Sequence, residues 1–224
     1  VGWAQTVPPC TLEITDAETF ARDWTVIDVN SNVSANTWAY NDGNAMYTQD
    51  KSNAADDWLI APAVTLEAGK AYKVSAYVKH SSTFGSDKQK IELKIGTAPT
   101  VEGLTTRLVY DESFQSRLFV EKSGTFSPAE SGVFYVGLRC YSGSYMGDLY
   151  FQKIVIEEAP VYPVQITDLS IVAGERGAMS ATLSWTWPSS DHLGGALSNL
   201  LGAKIYRGTD LVATLDTATV GGKA

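Results

Sequence analysis

Histidine and cysteine are scarce in this chain, two of each among 224 residues. Histidine is the side chain that most often moves protons near neutral pH, so there is little from which to build a catalytic network. Neither Cys10 nor Cys140 sits in a CxxC pattern, which removes the common thiolate zinc sites. Their long separation leaves two readings open, one long-range disulfide or two buried thiols. No run of eighteen apolar residues occurs, so no helix is expected to cross a membrane. Cations are outnumbered, 17 Lys and Arg against 25 Asp and Glu, for a net charge of −8. Nucleic acid is therefore a poor partner, because its affinity comes largely from cations neutralising phosphates. An anionic membrane surface is disfavoured for the same reason. Walker and Rossmann glycine patterns and the HExxH motif are also missing.

Helical periodicity is the last scarcity. One start signal stands out: in TDAETF, Thr15 and Glu18 have the spacing of a capping box, and one or two turns are expected. Strand patterns fill most of the remainder. In AYKVSAYVKH, Tyr72, Val74, Ala76 and Val78 alternate with polar partners, as in a half-buried antiparallel strand. KIELKIG repeats this, with Ile91, Leu93 and Ile95 inward. VFYVGLRCYS and LYFQKIVIEE are richer in β-branched and aromatic residues, as central strands are. Turn clusters such as NDGN, EAGK and YSGSYMGD punctuate them. Apolar residues make up 44% of the chain, enough for a core, and the expected class is all-β, a jelly-roll β-sandwich. Pro160 and Pro163 stiffen a short connection, giving an expected first domain over 1–158, a linker over 159–163 and a second region over 164–224.

Two resemblances sharpen this. The stretches WTVIDVNSN, DDWLIAPAVTLEAGKAYKVSAYVK, GVFYVGLRCYS and LYFQKIVI resemble the cleaved-adhesin, or choice-of-anchor J, jelly rolls, relatives of gingipain adhesin and MAM-type domains. The resemblance implies a secreted or surface-attached, non-catalytic domain of bacterial origin that often binds calcium. The family often carries an aspartate pair before the apolar end of its final strand; Gln152 and Lys153 stand there instead, which speaks against a metal site on that strand. From Val164 onward, VQITDLSIVAGERGAMSATLSWTWP and GAKIYRGTDLVATLD resemble the first strands of a fibronectin type III module, an immunoglobulin-like β-sandwich, with Trp185 as its core tryptophan. Such a module has seven strands, so the parent protein is expected to continue into further domains, or another chain to cover the edge.

Candidate sites follow from residue chemistry. Asp28, Asn30 and Asn32 lie at i, i+2 and i+4, a spacing that can wrap a hard cation with side-chain oxygens, so structural calcium is the expected cofactor. The bland alternative is an Asx-rich turn. Asp56 and Asp57 are further metal candidates, although neighbours on a strand point to opposite faces and only a loop would let them share one ion. For ligand binding, Trp38, Tyr40, Asp42 and Tyr47 in one segment and Tyr141 and Tyr145 in another combine aromatic faces with polar partners, as glycan sites do. The alternative places Trp38 and about half of these tyrosines in the core. His80 closes a strand beside serines, and His192 follows Asp191 near Ser189 and Ser190 without an oxyanion motif, so no catalytic residue is assigned. The expected function is a non-enzymatic adhesion or binding module for glycan or extracellular protein. The alternatives are an ancillary carbohydrate-binding module of a larger hydrolase or peptidase, or a structural spacer in a surface stalk.

Overall fold

The computed structural model describes residues 6–30, 36–82 and 84–224. They divide into two compact units, Val1–Ala159 and Pro160–Ala224. The first begins with β1 (Cys10–Glu13), α1 (Ala17–Asp23), β2 (Thr25–Asp28), β3 (Trp38–Asn41), β4 (Asn44–Tyr47), β5 (Asp57–Ile60) and β6 (Val64–Leu66). It continues with β7 (Tyr72–His80), β8 (Gln89–Gly96), β9 (Thr106–Phe114), β10 (Val120–Phe126), β11 (Gly132–Cys140) and β12 (Leu149–Glu158). The second holds β13 (Ser170–Ala173), β14 (Ala181–Ser184), β15 (Ala203–Arg207) and β16 (Asp210–Leu215).

The first unit is the all-β sandwich that the alternating patterns call for. One sheet runs β10-β7-β12-β4-β3, with β1 also paired to β12; the other runs β2-β5-β11-β8-β9, with β6 also paired to β11. Every pairing is antiparallel. The inward residues of β7 (Tyr72, Val74, Ala76, Val78) and β8 (Ile91, Leu93, Ile95) meet in a single core. On β12 the buried residues are Leu149, Phe151, Ile154 and Ile156, a spacing that skips one position. A bulge between Phe151 and Lys153 supplies the missing residue, so the apolar side chains stay inside on both sides of it. The departure from the aspartate pair thus coincides with a change of register.

Two expectations are refined. The helix is capped one residue later than Thr15: Asp16 Oδ1 accepts the Thr19 N–H at 2.7 Å, and Thr15 donates its hydroxyl to Asp16. Cys10 and Cys140 are both free thiols. Cys10 pairs with Ile156 in one sheet and Cys140 with Asp57 and Ile91 in the other, so the disulfide reading is not realised. Trp58 points away from the core yet is buried, because the β8–β9 connection folds over the outer face and sets Leu104 against Trp58 and Ile60. Glycine makes that contact possible. A Cβ on Gly96 would overlap the Gly103 carbonyl oxygen, and one on Gly137 would overlap the Leu104 side chain.

In the second unit, β13 pairs with β14 and β15 with β16 as two separate antiparallel hairpins. Trp185 and Trp187 are its buried aromatics and meet edge to face at 5.3 Å. Ile171, Val172, Leu201 and Leu211 remain exposed.

Candidate binding surface

The strand order brings five connections to one end of the first unit: β2–β3, β4–β5, β7–β8, β9–β10 and β11–β12. Hydrogen bonds tie all five together, the β2–β3 connection through Val29 and Asn30. Asp148 accepts the Gln49 N–H and receives the Ser81 N–H on its carbonyl, while Gln49 Oε1 accepts the Gly147 N–H at 2.8 Å. The Tyr145 N–H donates to the Asp50 carbonyl at 2.8 Å, and Gln115 donates to the carbonyls of Phe84 and Asp87.

Beneath them lies a buried polar network. Gln89 is fully buried; its Nε2 donates to the carbonyls of Met146 and Gly147, and its Oε1 accepts the Ser142 hydroxyl. His80 Nε2 donates to the Met146 carbonyl at 2.5 Å. These bonds hold residues 141–148 from below, in a polar network whose members are linked through the Gln89 amide. His80 is buried under that backbone.

Three large apolar side chains project from this end: Phe84 is 69% exposed, Leu118 77% and Tyr145 58%. Tyr145 has a φ of 61°, a left-handed conformation that a bulky residue adopts at a cost of roughly 1–3 kcal/mol. Nothing in the residue pattern marks Phe84, which stands singly among polar and small neighbours, or Leu118, which opens the apolar run Leu118–Val120 leading into β10.

The carboxylates separate as strand geometry requires. Asp57 opens β5 and faces the interior, directly across from Asp28 on β2. Asp57 is fully buried; its Oδ2 accepts the Asp56 N–H at 3.1 Å, while among the described residues its Oδ1 and the buried Asp28 Oδ1 have no hydrogen-bond partner. Burial, with the Asp28 charge adding to it, pushes the Asp57 carboxyl up to about 6. Asp56 faces the other way, and both its oxygens are engaged by Arg139 at 2.7 and 2.9 Å, which takes it out of the cation set. Asn30 turns its amide to the Ala54 carbonyl, and Asn32 lies outside the described residues. Two facing carboxylates with orphaned buried oxygens, and the Thr37 side chain against one of them, are the donor set a hard cation takes. Among the described residues no three His, Cys, Asp or Glu side chains gather as a metal cluster.

The aromatic candidates do not form one site. Trp38 and Tyr47 are buried against each other at 6.1 Å, with the Trp38 indole donating to the Asp57 carbonyl. Neither ring offers a face to a ligand. Burial drives the Tyr47 phenol well above its ordinary range. Tyr40 is half-buried against the core, and Asp42, with Gly43, forms the positive-φ turn of the β3–β4 hairpin at the opposite end of the sandwich. Tyr141 lies between the Arg139 guanidinium, 5.1 Å from its ring, and the Tyr110 ring at 6.1 Å, so its faces are engaged by protein. Arg107 covers Tyr110 and donates to the buried Glu92, continuing a charged and aromatic surface across β11, β8 and β9. Of the six residues, Tyr145 alone keeps a free face at the loop end.

In the second unit, Asp191 Oδ1 accepts the N–H groups of Leu193 and Gly195, and the His192 ring stacks on Tyr162 at 3.7 Å. Asp191 therefore shapes a turn and does not orient the histidine.

A cleft of about 520 Å³ opens elsewhere on the first unit, between α1, the β5–β6 connection and the start of β11. Its residues come from distant parts of the chain, and no local pattern announces it.

No protein-family profile matches the chain, and no curated protein does. Among solved structures, a cleaved adhesin domain of Lys-gingipain from Porphyromonas gingivalis is similar in fold, with a TM-score of 0.50 and 12% identity over 65% of this chain and 97% of that domain. A second cleaved adhesin domain of the same protein has a TM-score of 0.48 at 15% identity, covering 67% of this chain and 99% of its own length. The xylan-binding domain of a Paenibacillus barcinonensis protein has a TM-score of 0.40 at 13% identity, covering 70% and 97%. The first of these likenesses supports the β-sandwich fold.

Proposed function

We propose that the first unit is a non-catalytic, extracellular binding module that engages a partner through its stitched loop end. The observation that carries this is Tyr145: a solvent-facing ring in a left-handed backbone, on a loop fixed by the buried Gln89 network, beside loops that present Phe84 and Leu118. Side chains that protrude, rather than line a hollow, fit the pockets of a protein surface, where a few buried apolar anchors carry most of the affinity. The adhesin role named for the fold neighbour agrees with this reading. An extracellular protein is therefore the ligand we assign to this end.

Asp28 and Asp57 hold a structural calcium ion in this reading. With two carboxylates the affinity is of the millimolar class found in extracellular modules, roughly 10⁻⁴–10⁻³ M. The second unit is read as the first strands of a fibronectin type III module. Its groove, lined by Leu183, Trp185, Ile205 and Leu215, is the core face that the remaining strands of such a module cover.

The test is binding of the whole chain to immobilised purified matrix and serum proteins. Loss of binding in a Phe84→Ser/Tyr145→Ser variant that melts like the parent supports the proposal. A variant that binds every partner as tightly as the parent overturns it.

A further inference from the structure

We infer that the cleft beside α1 is a second, separate binding site, and that its ligand is a neutral sugar unit of a glycan. A volume of about 520 Å³ lies within the roughly 300–1,000 Å³ of small-ligand sites. The wall is apolar: the Tyr135 ring, Val133 and Pro62 line it, and Val133 stays 39% exposed although it belongs to a central strand. Such a wall matches the C–H face of a pyranose ring.

The lining also carries paired donors and acceptors. Arg22 and Asp23, at the end of α1, meet in a two-point fork, Nε to Oδ1 and Nη2 to Oδ2, both at 2.8 Å. A guanidinium has five N–H donors and a carboxylate about four acceptor positions, so the fork leaves three donors and two acceptors pointing elsewhere. Adjacent sugar hydroxyls each need one of both kinds. The Thr25 and Thr65 hydroxyls, also on the lining, can act in either sense.

Charge decides between sugar classes. Each member of the fork already neutralises the other, so neither a carboxylated nor an aminated sugar gains an unmatched counter-charge. A neutral polyol loses nothing by that cancellation. Tyr135 and Tyr141 are six residues apart on the line of β11, roughly 20 Å at strand rise, so the cleft and the loop end are distinct surfaces.

The test is a ¹H–¹⁵N NMR titration of the whole chain with glucose, galactose, mannose, N-acetylglucosamine, cellobiose and lactose. Glucuronate and sialic acid are run alongside. The expected result is saturable shifts at Arg22, Asp23, Thr65 and Val133–Tyr135 with at least one neutral sugar. In Tyr135→Ala or Thr65→Val the affinity should fall at least tenfold, while Tyr145→Ala leaves it unchanged. Thr65→Val keeps shape and fold if Tyr135→Ala does not. No shift with any sugar, shifts confined to the 141–148 loop, or tighter binding of the charged sugars overturns the assignment. These outcomes are independent of protein binding at the loop end, so either proposal can fail alone.

Discussion

Replacing Asp57 with asparagine keeps the shape of the side chain and removes its charge, and the structure fixes the sign of the effect on stability. The native carboxyl titrates at about 6 against an ordinary 3.8, because burial and the facing Asp28 disfavour the ion. The folded state therefore holds its proton more tightly than the unfolded chain does. Below about pH 4 both states are protonated and the residue is neutral in its effect. Between about pH 4 and 6 the cost of ionisation grows, and above 6 it is fully present. Two pKa units correspond to about 3 kcal/mol. The amide recovers only part of this, since its own N–H groups meet the same unpartnered surroundings. In chelator at pH 7.5, Asp57→Asn should thus be more stable by about 1–2 kcal/mol. For a unit of this size that is roughly 2–8 °C in Tm. The gap should close at pH 4.5. If the proposed calcium site is real, calcium should reverse the order: at a hundredfold excess over its Kd it would add about 2.7 kcal/mol to the native chain and little to the variant. Calorimetry in chelator and in calcium, at both pH values, measures all four corners. A variant that melts lower in chelator by the same margin at both pH values, with calcium inert on the native chain, would refute the facing-carboxylate account.

Three further outcomes are expected. Gly96→Ala sets a Cβ against the Gly103 carbonyl and should lift the β8–β9 connection off Trp58, costing about 1–3 kcal/mol; urea titration and acrylamide quenching of tryptophan report it. Gln89→Leu strands the Gly147 carbonyl and takes the acceptor from the Ser142 hydroxyl, while the Met146 carbonyl keeps its His80 donor, so the loss should reach about 2–3 kcal/mol, with faster amide exchange over residues 141–148 as its signature. Tyr145→Gly relieves the left-handed strain and should raise stability by about 1 kcal/mol while weakening partner binding, a pairing of effects that melting and binding assays on the same sample will separate.

Much of the fold was legible because alternation is a local signal. β7 and β8 bury the residues their period selects, and Asp56 and Asp57 face opposite ways as adjacent strand residues must. The helix cap slipped by one residue because threonine and aspartate in succession both satisfy the pattern. What stayed hidden depends on long-range packing. Glu92 faces outward in its period and yet is buried, since Arg107 and Arg139 cover it from neighbouring strands. Trp38 carries a sugar-binding composition around it, and only the fold reveals that its indole is engaged by the Asp57 carbonyl. Tyr141 was marked by its loop, and the residues that cover it, Tyr110 and Arg139, come from β9 and β11. The cleft unites α1, β6 and β11, which no window of sequence spans.

The pairing of β1 with β12 has a mechanical consequence. Cys10, where the chain enters the sandwich, lies opposite Ile156, two residues before β12 ends, so entry and exit share one corner. Tension along the backbone would peel β1 away rung by rung instead of shearing all its bonds together. That corner is also a strand length, roughly 30 Å, from the loops that follow β11. Hung in a longer polypeptide, the sandwich would be a pendant, with the loop end proposed for binding a strand length from the corner where the chain enters and leaves it.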